Sequence, residues 1–85
     1  MPSVNTRKIV SYCYSIPNIY FATFYAGDNI DNSHSTKVLY LSDEPIRGNA
    51  RGKIKLTGST WKQVYDKLVA LKIDVKEMAN MPWVE

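Results

Sequence analysis

The chain has only one cysteine and one histidine among its 85 residues, and this scarcity excludes several kinds of site. A single thiol, Cys13, cannot form an intramolecular disulfide and cannot supply the paired thiolates of a cysteine-based zinc site. A thiol–imidazole pair would have to join Cys13 to His34, which lies in a polar segment, and no spacing favours that pairing. We therefore expect Cys13 to be a buried and unreactive thiol.

Long hydrophobic runs are also missing. The longest apolar segment, residues 12–26, is interrupted by Ser15, Pro17 and Asn18 and is too short to span a bilayer. Residues 1–4 lack the charged region followed by an apolar stretch that marks a secretory signal. Together with the single cysteine, these absences predict an intracellular, cytoplasmic chain with no membrane partner.

The acidic residues form no recognisable catalytic or metal-binding motif. Asp28 and Asp31 lie close together in sequence, as do Asp43 and Glu44, but the alternating oxygen ligands and the turn glycine of a calcium loop are absent. We interpret these carboxylates as solvated loop residues. The sequence therefore predicts a protein that is not an enzyme and that carries no metal and no cofactor.

What the sequence does contain is enough apolar residues for one modest core, in a single domain of residues 1–85. Hydrophobic residues make up 45% of the chain and charged residues 22%, which is ordinary for a globular domain. A chain of this length buries only about 60–65% of its unfolded surface, so a homodimer is one expected way to gain stability. Six tyrosines stand against two phenylalanines, and tyrosine is the aromatic residue that tolerates a half-wet interface.

Alternation of apolar and polar residues predicts four strands. The segment Arg7–Ile16 alternates with period two, and Ile19–Ala26 is rich in strand-forming residues, so we expect these two to form a hairpin. The third and fourth strands are expected at Thr36–Ser42 and Lys53–Thr57. The sequence thus predicts a small four-stranded, mostly antiparallel sheet.

Helical spacing replaces this alternation in the last third of the chain. Thr60 and Gln63 match a capping box, and the segment Trp61–Lys72 that follows has one apolar face. Asp74 begins a second, short C-terminal helix by the same capping pattern. Strands followed by helices predict an α+β fold in which the sheet precedes one amphipathic helix and a short C-terminal helix.

The most suggestive segment for function is a basic loop punctuated by glycines. It does not match a phosphate-binding P-loop, because its glycines are one residue too close together and a strand rather than a helix follows. Between Pro45 and Tyr65 there is no acidic residue, and there are five basic ones: Arg47, Arg51, Lys53, Lys55 and Lys62. We expect Lys53 and Lys55 to point outward from the fourth strand. They would either contact an anionic partner or keep an edge strand from pairing.

These features favour two kinds of binding protein. The leading prediction is a small non-enzymatic protein that acts through a protein–protein interface with a larger partner, of the type that phages and mobile elements use to inhibit host machinery. The alternative is nucleic-acid or nucleotide binding through the basic segment 47–62 and the tyrosines of the sheet, on which bases can stack. The expected binding residues are Arg47, Arg51, Lys53, Lys55, Tyr12, Tyr14 and Tyr40.

Overall fold

A computed structural model of the chain describes residues 4–26, 36–47 and 51–84. In chain order its elements are helix α1 (Val4–Tyr14), strands β1 (Tyr20–Ala26), β2 (Thr36–Ser42) and β3 (Ile54–Gly58), helix α2 (Trp61–Ala70) and the short helix α3 (Val75–Met78). None of the helices in these three segments is long and apolar enough to cross a membrane. The fold is α+β, with a three-stranded antiparallel sheet between an N-terminal helix and two C-terminal helices.

The first predicted strand is wrong, because Arg7–Ile16 forms most of helix α1 and the turn that ends it. The residues that this segment buries are spaced as on a helix. Ile9 and Cys13, four positions apart, are fully buried, and Tyr12 and Ile16 are half-buried beside them. The apparent period of two comes from Val10, Tyr12, Tyr14 and Ile16, whereas the two fully buried residues fall on odd positions and Tyr14 is exposed. The sheet therefore has three strands and not four.

The other three predicted strands are confirmed. β1 lies within the predicted segment 19–26, β2 matches it residue for residue, and β3 is shifted by one residue. They pair antiparallel in the order β1-β2-β3, with Thr23 opposite Leu39 and Leu39 opposite Leu56. β2 is therefore the central strand, and β1 and β3 are the two edges.

One face of the sheet, the helix face, carries the core. Leu39 and Leu41 of β2 point to this face, since residues two apart on a strand share a side. They pack against buried residues of all three helices. The buried cluster consists of Ile9, Cys13, Leu39, Leu41, Val64, Leu68 and Met78. Each of these apolar side chains stabilises the fold by roughly 1.5–3 kcal/mol when it is taken out of water.

The two C-terminal helices begin at the residues that the sequence predicts. Thr60 caps α2, because its hydroxyl accepts a 3.2 Å hydrogen bond from the Gln63 amide. The Gln63 side chain reaches back to accept from the amide of Ser59 at 2.8 Å, one residue before the cap. Asp74 caps α3 by accepting from the amide of Lys76 at 3.0 Å. Both caps are thus confirmed in position and in mechanism.

Candidate functional site

The candidate site is the side of the sheet that the helices do not cover, which we call the outer face. Because Leu39 and Leu41 belong to the helix face, their neighbours Val38 and Tyr40 point the opposite way. The strand register extends this face across β1 and β3. Its members are Tyr20, Ala22 and Phe24 of β1, Val38, Tyr40 and Ser42 of β2, and Lys55 and Thr57 of β3.

Two of the predicted binding residues, Tyr40 and Lys55, meet on the outer face. They are direct cross-strand partners, a relation that brings Cβ atoms to about 5 Å. Lys55 is exposed, but Tyr40 is only 6% exposed and makes an edge-on contact with Phe24 at 5.7 Å between ring centroids. Tyr40 therefore lies on the outer face but is too buried for a partner to reach, whereas Lys55 is accessible.

Two of the rings that a partner could reach lie on β1, and Trp83 in the C-terminal segment is a third, 40% exposed. Tyr20 and Phe24 are 44% and 38% exposed at the β1 margin of the outer face. Tyr14, at the end of α1, is 78% exposed and contacts Phe21 edge-on at 5.5 Å. The sequence prediction includes Tyr14 but misses Tyr20 and Phe24. Their exposure follows from the edge position of β1, which depends on strand order and has no local signal in the sequence.

Lys53 does not point outward, contrary to the prediction, and its side chain is only 4% exposed. Its ammonium lies 3.1 Å from Asp43 Oδ1 and 3.9 Å from Glu44 Oε1, and it donates a 3.2 Å hydrogen bond to the carbonyl of Ala79. The contact with Asp43 Oδ1 lies outside hydrogen-bonding geometry, so it is an ion pair only. The Ala79 carbonyl follows the last turn of α3, where a cation is favourable.

A break in the strand ladder explains the direction of Lys53. Ile54 is the partner of Leu41, and the amide of Lys53 also donates to the Leu41 carbonyl, at 2.8 Å. Two consecutive residues therefore oppose one, which is the arrangement of a β-bulge. A bulge re-aims side chains, so the alternation that holds through Lys55 does not extend back to Lys53.

The residues around Lys53 anchor the C-terminal segment. The Trp83 ring lies 5.6 Å from the Lys53 ammonium, and the amide of Val84 donates to the Gly52 carbonyl at 3.0 Å. Gly52 is buried, and a Cβ atom there would lie 2.5 Å from the Leu41 carbonyl oxygen. Gly52 and Lys53 therefore hold the fold together and do not form part of a flexible anion-binding loop.

The remaining basic residues of the predicted segment are exposed. Arg47 and Arg51 flank residues 48–50, which lie outside the described residues. Lys62 forms an exposed pair with Asp66 one helical turn away, at 3.1 Å. Lys55 is thus joined by Arg47 and Arg51 as an accessible cation.

Two further predicted residues lie on α1, away from Tyr40. Tyr12 is half-buried and packs against the core cluster. The prediction that Cys13 is buried is confirmed, and burial raises the pKa of its thiol to about 11 by disfavouring the charged thiolate. The segment 27–35, with its acidic residues and His34, lies outside the described residues.

Comparison with known proteins does not indicate a function. No family model, no curated protein and no solved structure matches the chain. The surface features of the described residues that bear on function are the exposed rings of β1, the exposed cations and the buried centre of the outer face.

Proposed function

We propose that this chain is a small, non-enzymatic protein that binds a larger protein through the outer face of its sheet. The observation that carries the proposal is that this face has exposed groups at both margins. Tyr20 and Phe24 are exposed at one margin, and Lys55 is exposed at the other. Buried Tyr40 and Val38 hold the two margins in place. Aromatic anchors beside charged, solvent-accessible groups are typical of protein–protein interfaces.

The main cluster of charged groups is already held by structural contacts, which supports a non-catalytic role. An active site needs convergent polar groups facing a cavity. In the described residues, the main convergence of charges is around Lys53, and it is occupied by contacts with Asp43 and with the C-terminal segment. A shallow groove of about 540 Å³ lies between the turn after α1 and α3, and its carboxylate, Asp74, already caps α3.

The exposed cations around β3 favour an acidic partner. Lys55 lies on the outer face, Arg47 and Arg51 are exposed in the segment that precedes β3, and the chain carries a net charge of +3. Charge of this kind speeds association with an acidic surface, and its effect weakens as salt is added. A compact protein that covers an acidic, partly apolar site on a larger protein blocks that site. Inhibition of host machinery by a phage or mobile-element protein is the form of this function that we favour.

Nucleic-acid binding is the second candidate, and the same exposed cations and the exposed rings of Tyr20 and Phe24 favour it. Bases stack on exposed rings, and phosphates pair with Arg and Lys. Two structural features count against it: Lys53 is withdrawn from the surface, and the Tyr40 ring is covered. The two candidates differ in salt dependence, because every phosphate that a basic side chain neutralises releases counterions and steepens the fall of nucleic-acid affinity with salt.

Affinity capture from the source cell with charge-reversed variants tests the proposed function. Arg51→Glu with Lys55→Glu reverses two exposed charges, one on the outer face and one four residues before it in the chain. Arg7→Glu with Lys72→Glu is the matched control, because it reverses one exposed arginine and one exposed lysine on α1 and after α2. We expect the first variant to lose the captured protein at least tenfold and the control to retain it, with the melting temperatures of both unchanged.

Nuclease treatment in the same experiment separates the two candidates. Capture that survives nuclease and depends on Arg51 and Lys55 supports the protein partner. Capture that nuclease abolishes supports nucleic acid instead. If both charge-reversed variants capture the same protein equally well, the outer face is not the binding surface.

A further inference from the structure

The two edges of the sheet are built differently. β3 has five residues, contains Lys55, begins at a bulge, and has its Thr57 carbonyl bound by the ammonium of Lys67. β1 has seven residues, Tyr20–Ala26, with no charge, no proline and no glycine. Among residues 4–26, 36–47 and 51–84, nothing extends the sheet beyond β1. Lysines, bulges and short length are the devices that stop a strand edge from pairing, so only β3 is protected.

We propose that β1 pairs with β1 of a second copy of this chain, antiparallel about a two-fold axis at Thr23. The pairing would join the two sheets into one continuous six-stranded sheet with the helices of both copies on the same side. Every second residue of β1 turns its amide and carbonyl away from β2, and these groups would bond to the second copy. The interface is isologous, as a two-fold dimer requires.

The sequence of β1 is complementary to itself in this register. Thr23 falls opposite Thr23 of the second copy, a favoured cross-strand pair. Ala22 falls opposite Phe24 of the second copy. On the outer face, this large ring therefore meets a small residue. An axis at Ala22 or at Phe24 would place alanine against alanine or phenylalanine against phenylalanine and would shorten the overlap.

The distribution of charge also allows a second copy of the chain to pair with β1. Two copies of a chain with net charge +3 repel each other unless their contact surface is uncharged, and β1 contributes no charged residue. The Lys55 side chains of the two copies would stand on the outermost strands. Five strand spacings of about 4.8 Å separate those strands, about 24 Å in all. Screening at physiological salt acts over about 8 Å, so this repulsion is weak.

The pairing would also cover apolar surface that the single chain exposes. Tyr20 and Phe24 belong to β1, and Tyr14 lies next to it through its contact with Phe21. The three side chains are 38–78% exposed. One strand pair with these rings falls near the lower limit of stable interfaces, about 1,200 Å² in total. We therefore expect a dimer that dissociates on dilution. Tyr20 and Phe24 also belong to the outer face, so the pairing shares these two rings with the proposed interface. Oligomeric state and partner capture are separate measurements, so failure of one proposal is distinguishable from failure of the other.

Sedimentation velocity of the purified chain, from low to high micromolar concentration, tests the pairing. We expect a shift from monomer to a discrete dimer. Thr23→Lys should keep the chain monomeric, because it places two cations directly opposite each other. The matched control is Thr36→Lys, an equally exposed threonine of central strand β2, and it should dimerise as the unmodified chain does. A chain that stays monomeric throughout, aggregates without a discrete dimer, or loses its dimer equally in both variants would overturn the proposal.

A cysteine at the two-fold axis gives a second test that does not depend on the stability of Thr23→Lys. Thr23→Cys should form a disulfide-linked dimer under mild oxidation, because the two thiols would lie opposite each other. Thr36→Cys should crosslink at least tenfold more slowly. Native Cys13 is buried and serves as the internal background in both variants. Equal crosslinking at positions 23 and 36 would overturn the two-fold pairing.

Discussion

Lys53 places a positive charge in a nearly closed environment made by three parts of the chain. Asp43 follows β2, Ala79 follows α3, and Trp83 belongs to the C-terminal segment, and all three contact the same ammonium. Taking a charge out of water is costly unless such partners are present. Removing one partner therefore leaves a buried charge without compensation and lowers the stability of the fold. Lys53 therefore connects the end of β2, the end of α3 and the C-terminal segment.

Replacing Lys53 with methionine should destabilise the fold by about 2–3 kcal/mol. Loss of one partner of a fully buried pair costs about 3–5 kcal/mol, and the value is smaller here because Asp43 retains some solvent contact. The control is Lys55→Met on the same edge, which removes an exposed lysine and should change stability by less than about 0.5 kcal/mol. Urea unfolding of the two variants measures the difference. Equal destabilisation would mean that Lys53 is not held by its partners.

Gly52 should tolerate no side chain. A Cβ atom would lie 2.5 Å from the Leu41 carbonyl oxygen and 2.8 Å from the Leu41 amide nitrogen, both backbone atoms that cannot move aside alone. We expect Gly52→Ala to cost about 1–3 kcal/mol in thermal or urea unfolding. Gly58→Ala is the control, since the nearest atom to its added Cβ would be the Gln63 Cβ at 3.0 Å, a looser approach than the 2.5 Å at Gly52. If the two variants unfold alike, the backbones at Gly52 and Leu41 are not in close contact.

The thiol of Cys13 should be protected in the folded chain. Burial raises its pKa from 9.0 to about 11, so near pH 8 the reactive thiolate is roughly a hundredfold scarcer than in the unfolded chain. The neutral thiol is the form that the fold favours. Its contribution to stability is therefore present below pH 9 and lost as pH rises toward 11. Labelling by a thiol reagent, native against urea-unfolded, measures the protection. Equal labelling rates would contradict the burial of Cys13.

At the scale of elements, local patterns predict the structure well where one pattern dominates. The three strands and the caps at Thr60 and Asp74 follow from strand-forming residues and capping side chains, which act over a few positions. Helix α1 is missed because its segment satisfies two periods, and the core selects the helical one by burying Ile9 and Cys13. Lys53 is missed because a bulge interrupts alternation. The exposed margin of β1 is missed because strand order depends on distant parts of the chain.

Substitutions on α1 distinguish the two periods directly. On a helix, Ile9 is fully buried and its neighbour Val10 is half-buried, whereas a strand would have turned Val10 inward with Tyr12. Ile9→Ala should therefore destabilise the fold by about 2–4 kcal/mol, and Val10→Ala by less than half as much. Chemical unfolding of both variants provides the comparison. A larger effect at Val10 would contradict the helix.

At the scale of the whole molecule, the small size of the core and the β1 edge, which no strand of the described residues pairs, have a common consequence. A chain of 85 residues gains little stability from its own core, and a second copy on β1 would extend both the sheet and the buried apolar surface. Because a partner that binds only the folded chain stabilises it by mass action, the melting temperature should rise with protein concentration. In Thr23→Lys that dependence should vanish, while Thr36→Lys should keep it. Calorimetry across concentrations measures both.

Amide hydrogen exchange along β1 tests most directly whether the β1 edge of this sheet is an interaction surface. Alternate amides of Tyr20–Ala26 point away from β2, and no strand of the described residues pairs with them. We expect these amides to exchange more slowly as protein concentration rises, while the amides of β3 that point away from β2 keep the same rates. Exchange along β1 that is fast and independent of concentration would contradict the pairing of this strand.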